Sequence, residues 1–157
     1  MQNPAQLFRT FSQLPVIGPE LFSRAVSFMA PYFSTISPRF LLLEPGHVEV
    51  AMKNRRSVHN HIGTVHAIAM CNLCEVVAGT MIEATLPTTL RWIPRGMTVR
   101  YLKKADTNLV AKGRMDTPAG DFVGDVVIPV QVFNTTGQVV MEADISMYVS
   151  LQKSAKA

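Results

Sequence analysis

Val65-His66-Ala67-Ile68-Ala69-Met70-Cys71-Asn72-Leu73-Cys74-Glu75-Val76-Val77-Ala78-Gly79-Thr80-Met81-Ile82-Glu83-Ala84-Thr85-Leu86 is long, apolar, rich in Ala and Met, and followed by Pro87. The pattern predicts one helix over Val65–Leu86, with Thr64 as its N-cap and the proline as its stop. A helix apolar all round has to be buried on most faces. The rest of the chain must therefore supply a cover for it.

Downstream, four strands are expected: Leu90–Trp92 running into Met97–Lys103, then Leu109–Met115, Phe122–Phe133 and Gln138–Leu151. The last alternates most cleanly, with Val139, Met141, Ala143, Ile145, Met147, Val149 and Leu151 on one face and Glu142, Asp144, Ser146 and Ser150 on the other. Asn134-Thr135-Thr136-Gly137 reads as the hairpin connection before it. Pro129 within its strand implies an edge or a bulge. Upstream, Phe40–Glu44 and His47–Lys53 flank the turn dipeptide Pro45-Gly46. Ser57–Thr64 reads as a loop.

Residues 1–38 read as helical with breaks at Pro15, Gly18 and Pro19, and with Pro31 and Pro38 closing the segment. Pro19 suits the first turn of a helix over Pro19–Ala30, whose Leu21, Phe22, Ala25, Val26 and Met29 share a face. Its polar side is poor in Lys and Arg, which favours packing on the domain over lying on a membrane. The order is thus N-terminal helices, two strands, one long buried helix, and a run of antiparallel strands. This is an α+β arrangement in which one sheet wraps one helix. Residues 1–38 form a helical extension packed on a domain spanning 39–157, and the sequence shows no internal repeat or low-complexity linker.

Bulk properties narrow the classes. The chain has 157 residues, 48% of them hydrophobic and 17% charged, which suits one compact domain and excludes disorder. The net charge is +4, but no Lys/Arg block resembles a nucleic-acid arm, so no nucleic-acid partner is expected. Two cysteines fit a reducing compartment. The first residues carry no signal-peptide pattern, and no apolar run reaches the ~20 residues of a membrane span. The expectation is a cytoplasmic protein without a membrane partner.

Two features carry chemistry. Glu75 stands mid-helix among apolar neighbours, and no Lys or Arg lies between Arg56 and Arg91. A carboxylate buried there without a counter-ion would have its pKa raised, as suits a base or nucleophile. The other reading is an exposed Glu on a wet stripe of the helix, as expected for Glu83. At the helix start, Asn60-His61-Ile62-Gly63-Thr64-Val65-His66-Ala67 brings an amide and an imidazole to unpaired backbone N–H groups, a ready carbonyl-polarising site. His66 and Glu75 lie nine residues apart, or about 13–14 Å along a helix, so they cannot share one site within one subunit.

Asn60-x-x-Gly63-x-x-His66-Ala67 with Glu75 nine residues after the His resembles the signature of phenylacetate-pathway-type hotdog thioesterases. Tyr101-Leu102-Lys103-Lys104-Ala105 is similar to a strand of that family, and Asn134–Ala143 to its closing hairpin. Ala67-Ile68 stand where the family has Gly-Gly. The resemblance implies a hotdog fold, a homodimer or a dimer of dimers, and hydrolysis of an acyl-CoA or acyl-carrier-protein thioester with no cofactor beyond the CoA of the substrate. It implies catalytic roles for Glu75 of one subunit and for Asn60, His66 and the N–H of Ala67 of the other. Gly63, Thr64, Lys103 and Lys104 would bind substrate, the lysines at the CoA phosphates. A non-catalytic protein holding acyl-CoA or a lipid-like ligand is the alternative. No metal site is expected: Cys71 and Cys74 read as core residues, and His59, His61 and His66 do not converge with Glu75.

Overall fold

A computed structural model describes residues 3–14, 17–116 and 122–152. The break expected at Pro15 lies outside them. The elements are α1 (Pro4–Ser12), α2 (Gly18–Met29), a 3-10 turn at Pro31–Ile36, β1 (Arg39–Glu44), β2 (His47–Met52), α3 (Ala67–Thr85), β3 (Leu90–Tyr101), β4 (Leu109–Arg114), β5 (Gly124–Phe133) and β6 (Val139–Leu151). The six strands form one antiparallel sheet in the order β1-β2-β4-β5-β6-β3, and α3 touches every strand.

Alternation along β2 and β6 buries one face of each strand. Their inward side chains, such as Val48, Val50, Ile145 and Met147, meet Leu73, Cys74, Val77 and Met81 of α3 in one core cluster. Each such side chain contributes roughly 1.5–3 kcal/mol by leaving water. Among the described residues α3 alone is long and apolar enough to cross a membrane, but most of it is buried inside the protein. Helix and sheet approach closely at Gly113 of β4, where an added Cβ would lie 2.7 Å from Val77 Cγ1 and 3.1 Å from Met81 Cε. Gly113→Ala should destabilise the protein by about 1–3 kcal/mol through overpacking, read as a lower urea midpoint.

Several boundaries differ from the sequence reading. The helix begins at Ala67 because His66, not Thr64, caps it: His66 Nδ1 accepts from the Ile68 N–H at 3.1 Å. Thr64 is buried, and its hydroxyl accepts from Asn60 instead. The two expected pieces Leu90–Trp92 and Met97–Lys103 are one strand, with its register shift between Pro94 and Gly96. Pro129 stands where β5 loses its β4 neighbour, since that pairing runs only from Val130 to Phe133. A residue without an N–H is tolerated at such an edge.

The N-terminal helices close one end of the core. Phe22 is buried, with Phe8 and Phe40 each edge-on to it at 5.1 Å between centroids. Ser23 Oγ accepts from the Phe40 N–H at 3.0 Å, and Asn3 Nδ2 donates to the Ala84 carbonyl at 3.0 Å. That last bond serves one of the carbonyls an α-helix leaves unpaired at its C-terminus.

Candidate active site

The segment before α3 is a closed loop built on Asn60. Its Oδ1 accepts from the N–H groups of Ile62 and Thr64, both at 3.1 Å, and its Nδ2 donates to Thr64 Oγ1 at 2.8 Å. Gly63 completes the turn with φ 78°, a conformation that favours glycine, although a Cβ would meet no steric obstacle there. One Nδ2 hydrogen of Asn60 is left for another acceptor. The loop leads to His66, which is exposed. Because its Nδ1 accepts from Ile68, the neutral ring carries its proton on Nε2, which is free to donate outward. Ala67 is the first residue of α3, and its N–H makes no hydrogen bond to the described residues.

The loop after β3 meets this helix start. Val65 N–H donates to the Ala105 carbonyl at 2.8 Å, and the exposed Lys103 and Lys104 lie just before that contact. Lys103 N–H in turn donates to the Val140 carbonyl. The structure thus gathers Asn60, Gly63, Thr64, His66, Ala67 and the two lysines around one end of α3. Glu75 is two turns further along.

Glu75 is exposed and has no hydrogen bond or ion pair among the described residues. Its own chain therefore does not desolvate it, contrary to the buried carboxylate the sequence suggests. The reason is strand order. Ile68, Cys71 and Glu75 share a stripe of α3 by their spacing. The neighbouring strand β3 is the outermost of the sheet and covers that stripe only in part. Pairing opposite buried residues of β6 turns Met97, Val99 and Tyr101 of β3 toward the core side, yet none of the three is fully buried. Ile68 remains 55% exposed. An apolar strip along α3 and β3 is thus left open, with Glu75 beside it.

Tyr101 and Asn72 were not singled out by the sequence. The Tyr101 hydroxyl lies 3.4 Å from Cys71 Sγ, one helical turn from Glu75. That hydrogen bond, and then burial, pushes the phenol up to about 12, so it stays protonated at neutral pH. Its place in Tyr101-Leu102-Lys103-Lys104-Ala105 was the available signal. Asn72 is 5% exposed and donates to Tyr32 O and Thr35 Oγ1, while its Oδ1 has no partner among the described residues. With His59, His66 and Ile68 it lines a cavity of about 200 Å³ beside the helix start. Nothing in the sequence distinguishes it from a core asparagine.

The cysteines differ. Burial pushes the Cys74 thiol far up, while Cys71 is half-exposed. Iodoacetamide should leave Cys74 unmodified until the protein unfolds, as read by mass spectrometry. His59 is engaged with Asn54 Oδ1. Among the described residues no group of three His, Cys, Asp or Glu side chains is placed to hold a metal.

Comparisons with known proteins agree on the fold. No curated protein matches the chain. A structural-genomics crystal structure, target APC5556, is 44% identical, covers 95% of this chain and 99% of its own, and superposes with a TM-score of 0.84. A Pseudomonas aeruginosa protein of unknown function, described as a probable thioesterase, is 22% identical over 88% of this chain and 97% of its own, with a TM-score of 0.75. A hypothetical thioesterase protein from Streptococcus pneumoniae, solved with coenzyme A, is 24% identical over 74% of this chain and 91% of its own, with a TM-score of 0.62. The last two are likenesses of fold, which is that of the hotdog thioesterases. A family model described as a domain of unknown function, DUF4442, matches residues 18–149, from the start of α2 almost to the end of β6, and the chain belongs to that family.

Proposed function

We propose that the protein is an acyl-CoA thioesterase that acts as a homodimer. The observation that carries this reading is the unpartnered Glu75 carboxylate beside an open apolar strip, two turns from a helix start with a free N–H. A second subunit laid along that strip would desolvate Glu75 and bring it to the partner's Ala67. The unpaired outer edge of β3 supports this, because a long edge strand with unused backbone groups is a template for another strand. The coenzyme A held by the streptococcal neighbour supports the substrate class.

In this reading Glu75 takes a proton from water as the water oxygen bonds to the thioester carbonyl carbon. The Ala67 N–H and His66 Nε2–H of the other subunit receive the oxygen that becomes negative. The C–S bond then breaks, and the sulfur leaves with the proton held by Glu75, giving a carboxylic acid and a free thiol. Asn60 holds the loop that sets Ala67 and directs its remaining Nδ2 hydrogen outward. Gly63 and Thr64 shape that loop, and Lys103 and Lys104 meet the phosphates of CoA.

One observation favours a second reading, a non-catalytic acyl-CoA-binding protein: most of Asn60's hydrogen-bonding capacity is used inside its own loop. A panel of short, long and aromatic acyl-CoAs with thiol detection separates the two. Thiol release by the wild type above the uncatalysed rate is expected for at least one acyl class. Background rates throughout, with measurable acyl-CoA binding, would leave only the binding protein.

A further inference from the structure

One cleft is not part of the constellation above. It has a volume of about 640 Å³ and lies where α2 and the 3-10 turn meet the ends of β1 and β2. Its walls carry Arg24, Arg39, Lys53 and Arg55 against a single acid, Glu20. Glu20 is already paired with Arg24 at 3.3 Å. The side chains of Arg39 and Lys53 have no hydrogen bond or ion pair among the described residues, and the Arg55 guanidinium bonds only to neutral groups. The cleft therefore holds three positive charges without a carboxylate to balance them. Concave walls of low dielectric concentrate such a field.

Arg55 is held in position. Its Nη2 donates to the Thr35 carbonyl at 3.1 Å and to Ser37 Oγ at 2.8 Å, while its Nε is buried with no partner. Ser37 is the only non-glycine residue with positive φ among those described, at φ 46° and ψ 63°. That conformation is strained for a non-glycine residue. The chain accepts it at the residue whose hydroxyl orients the guanidinium. Asn108 adds a polar group to the rim, fixed by the bond from Asn54 N–H to its Oδ1 at 2.9 Å.

We infer that this cleft is an anion site for a phosphate-bearing small molecule, in which Arg39, Lys53 and Arg55 contact the phosphate oxygens. The inference does not rest on the thioesterase reading. Pairing of β1 with β2 and β2 with β4 sets Arg39, Met52 and Leu109 at one end of the sheet. The bond from Asn54 Nδ2 to the Asp106 carbonyl ties the segment between Lys53 and Arg55 to the loop that carries Lys103 and Lys104. Two sources of phosphate fit this geometry: a substrate spanning both places, or a separate phosphorylated ligand.

Calorimetric titration of the full chain with inorganic pyrophosphate at low ionic strength tests the site. Binding is expected, and it should weaken about tenfold or more in Arg39→Gln/Lys53→Gln, since charge-assisted contacts to phosphate are lost. Neither side chain has a partner to lose, so an unchanged circular dichroism spectrum is expected of the double variant. Lys103→Gln/Lys104→Gln should bind pyrophosphate as the wild type does. No binding by the wild type, equal binding by Arg39→Gln/Lys53→Gln, or loss in Lys103→Gln/Lys104→Gln alone would each overturn the inference. Coenzyme A is the second arm. Competition with pyrophosphate assigns the phosphate to the substrate, and independent binding assigns it to a separate ligand; either keeps the cleft as an anion site.

Discussion

Glu75→Gln is expected to lower acyl-CoA hydrolysis by about 100–10,000-fold, the usual range for losing a general base. The fall should appear in kcat with KM little changed, because the carboxylate acts on the water and not on the ground-state thioester. Folding should be unaffected within about 0.5 kcal/mol, since the side chain is exposed and unpaired in its own chain. Ala67→Pro is the matching variant on the other side of the site. Ala67 is the first helical residue, where proline is favoured, and His66 already has extended geometry at φ −64° and ψ 139°, which proline tolerates in its predecessor. The substitution removes one N–H and little else, and should cost roughly 100–1,000-fold in kcat.

The two variants together test the shared site. Each homodimer should be nearly inactive. A heterodimer of the two restores one site of two and should recover roughly half the wild-type rate, as two-fold symmetry requires. If the mixture stays inactive, the two residues do not cooperate across subunits, and the proposed mechanism is lost even if the wild type hydrolyses acyl-CoA.

Phe22→Ala should carry the largest stability effect, about 3–5 kcal/mol. Phe22 is 1% exposed and touches both Phe8 and Phe40 edge-on, so its removal opens a cavity between the N-terminal helices and β1. The thermal midpoint should fall by roughly 10 °C or more. Phe28, on the same helix but 86% exposed, should change it little when replaced by alanine. A single cooperative transition in Phe22→Ala would show that α1 and α2 melt with the sheet; an early transition confined to them would make them a separate unit.

Local patterns carried much of the fold. The apolar run of α3, the alternation of β6 and the Pro45-Gly46 turn each reflect short-range constraints, and the structure realises them with ends moved by a residue or two. Thr64 misled the reading of the helix start because its hydroxyl is taken by Asn60, a competition between side chains that spacing does not reveal. The exposure of Glu75 was beyond local reading. It follows from β3 standing at the sheet's outer edge beside β6, a pairing of segments about fifty residues apart. The cationic cleft was equally hidden, since Arg24, Arg39, Lys53 and Arg55 are unremarkable surface charges until α2 is laid against β1 and β2.

The two ends of α3 are anchored in different ways. At its C-terminal end Asn3 binds the Ala84 carbonyl, and Thr85 Oγ1 accepts from the Gly46 N–H at 2.9 Å while donating to the Met81 carbonyl. At its N-terminal end the His66 imidazole closes the first turn, while the N–H groups of Val65 and His66 donate to the Ala105 and Val58 carbonyls, both at 2.8 Å. The helix is therefore a beam held at both ends: its last turn is clamped to α1 and the β1–β2 hairpin, and the residues entering its first turn, where a substrate would arrive, are tied to the loops that follow β2 and β3.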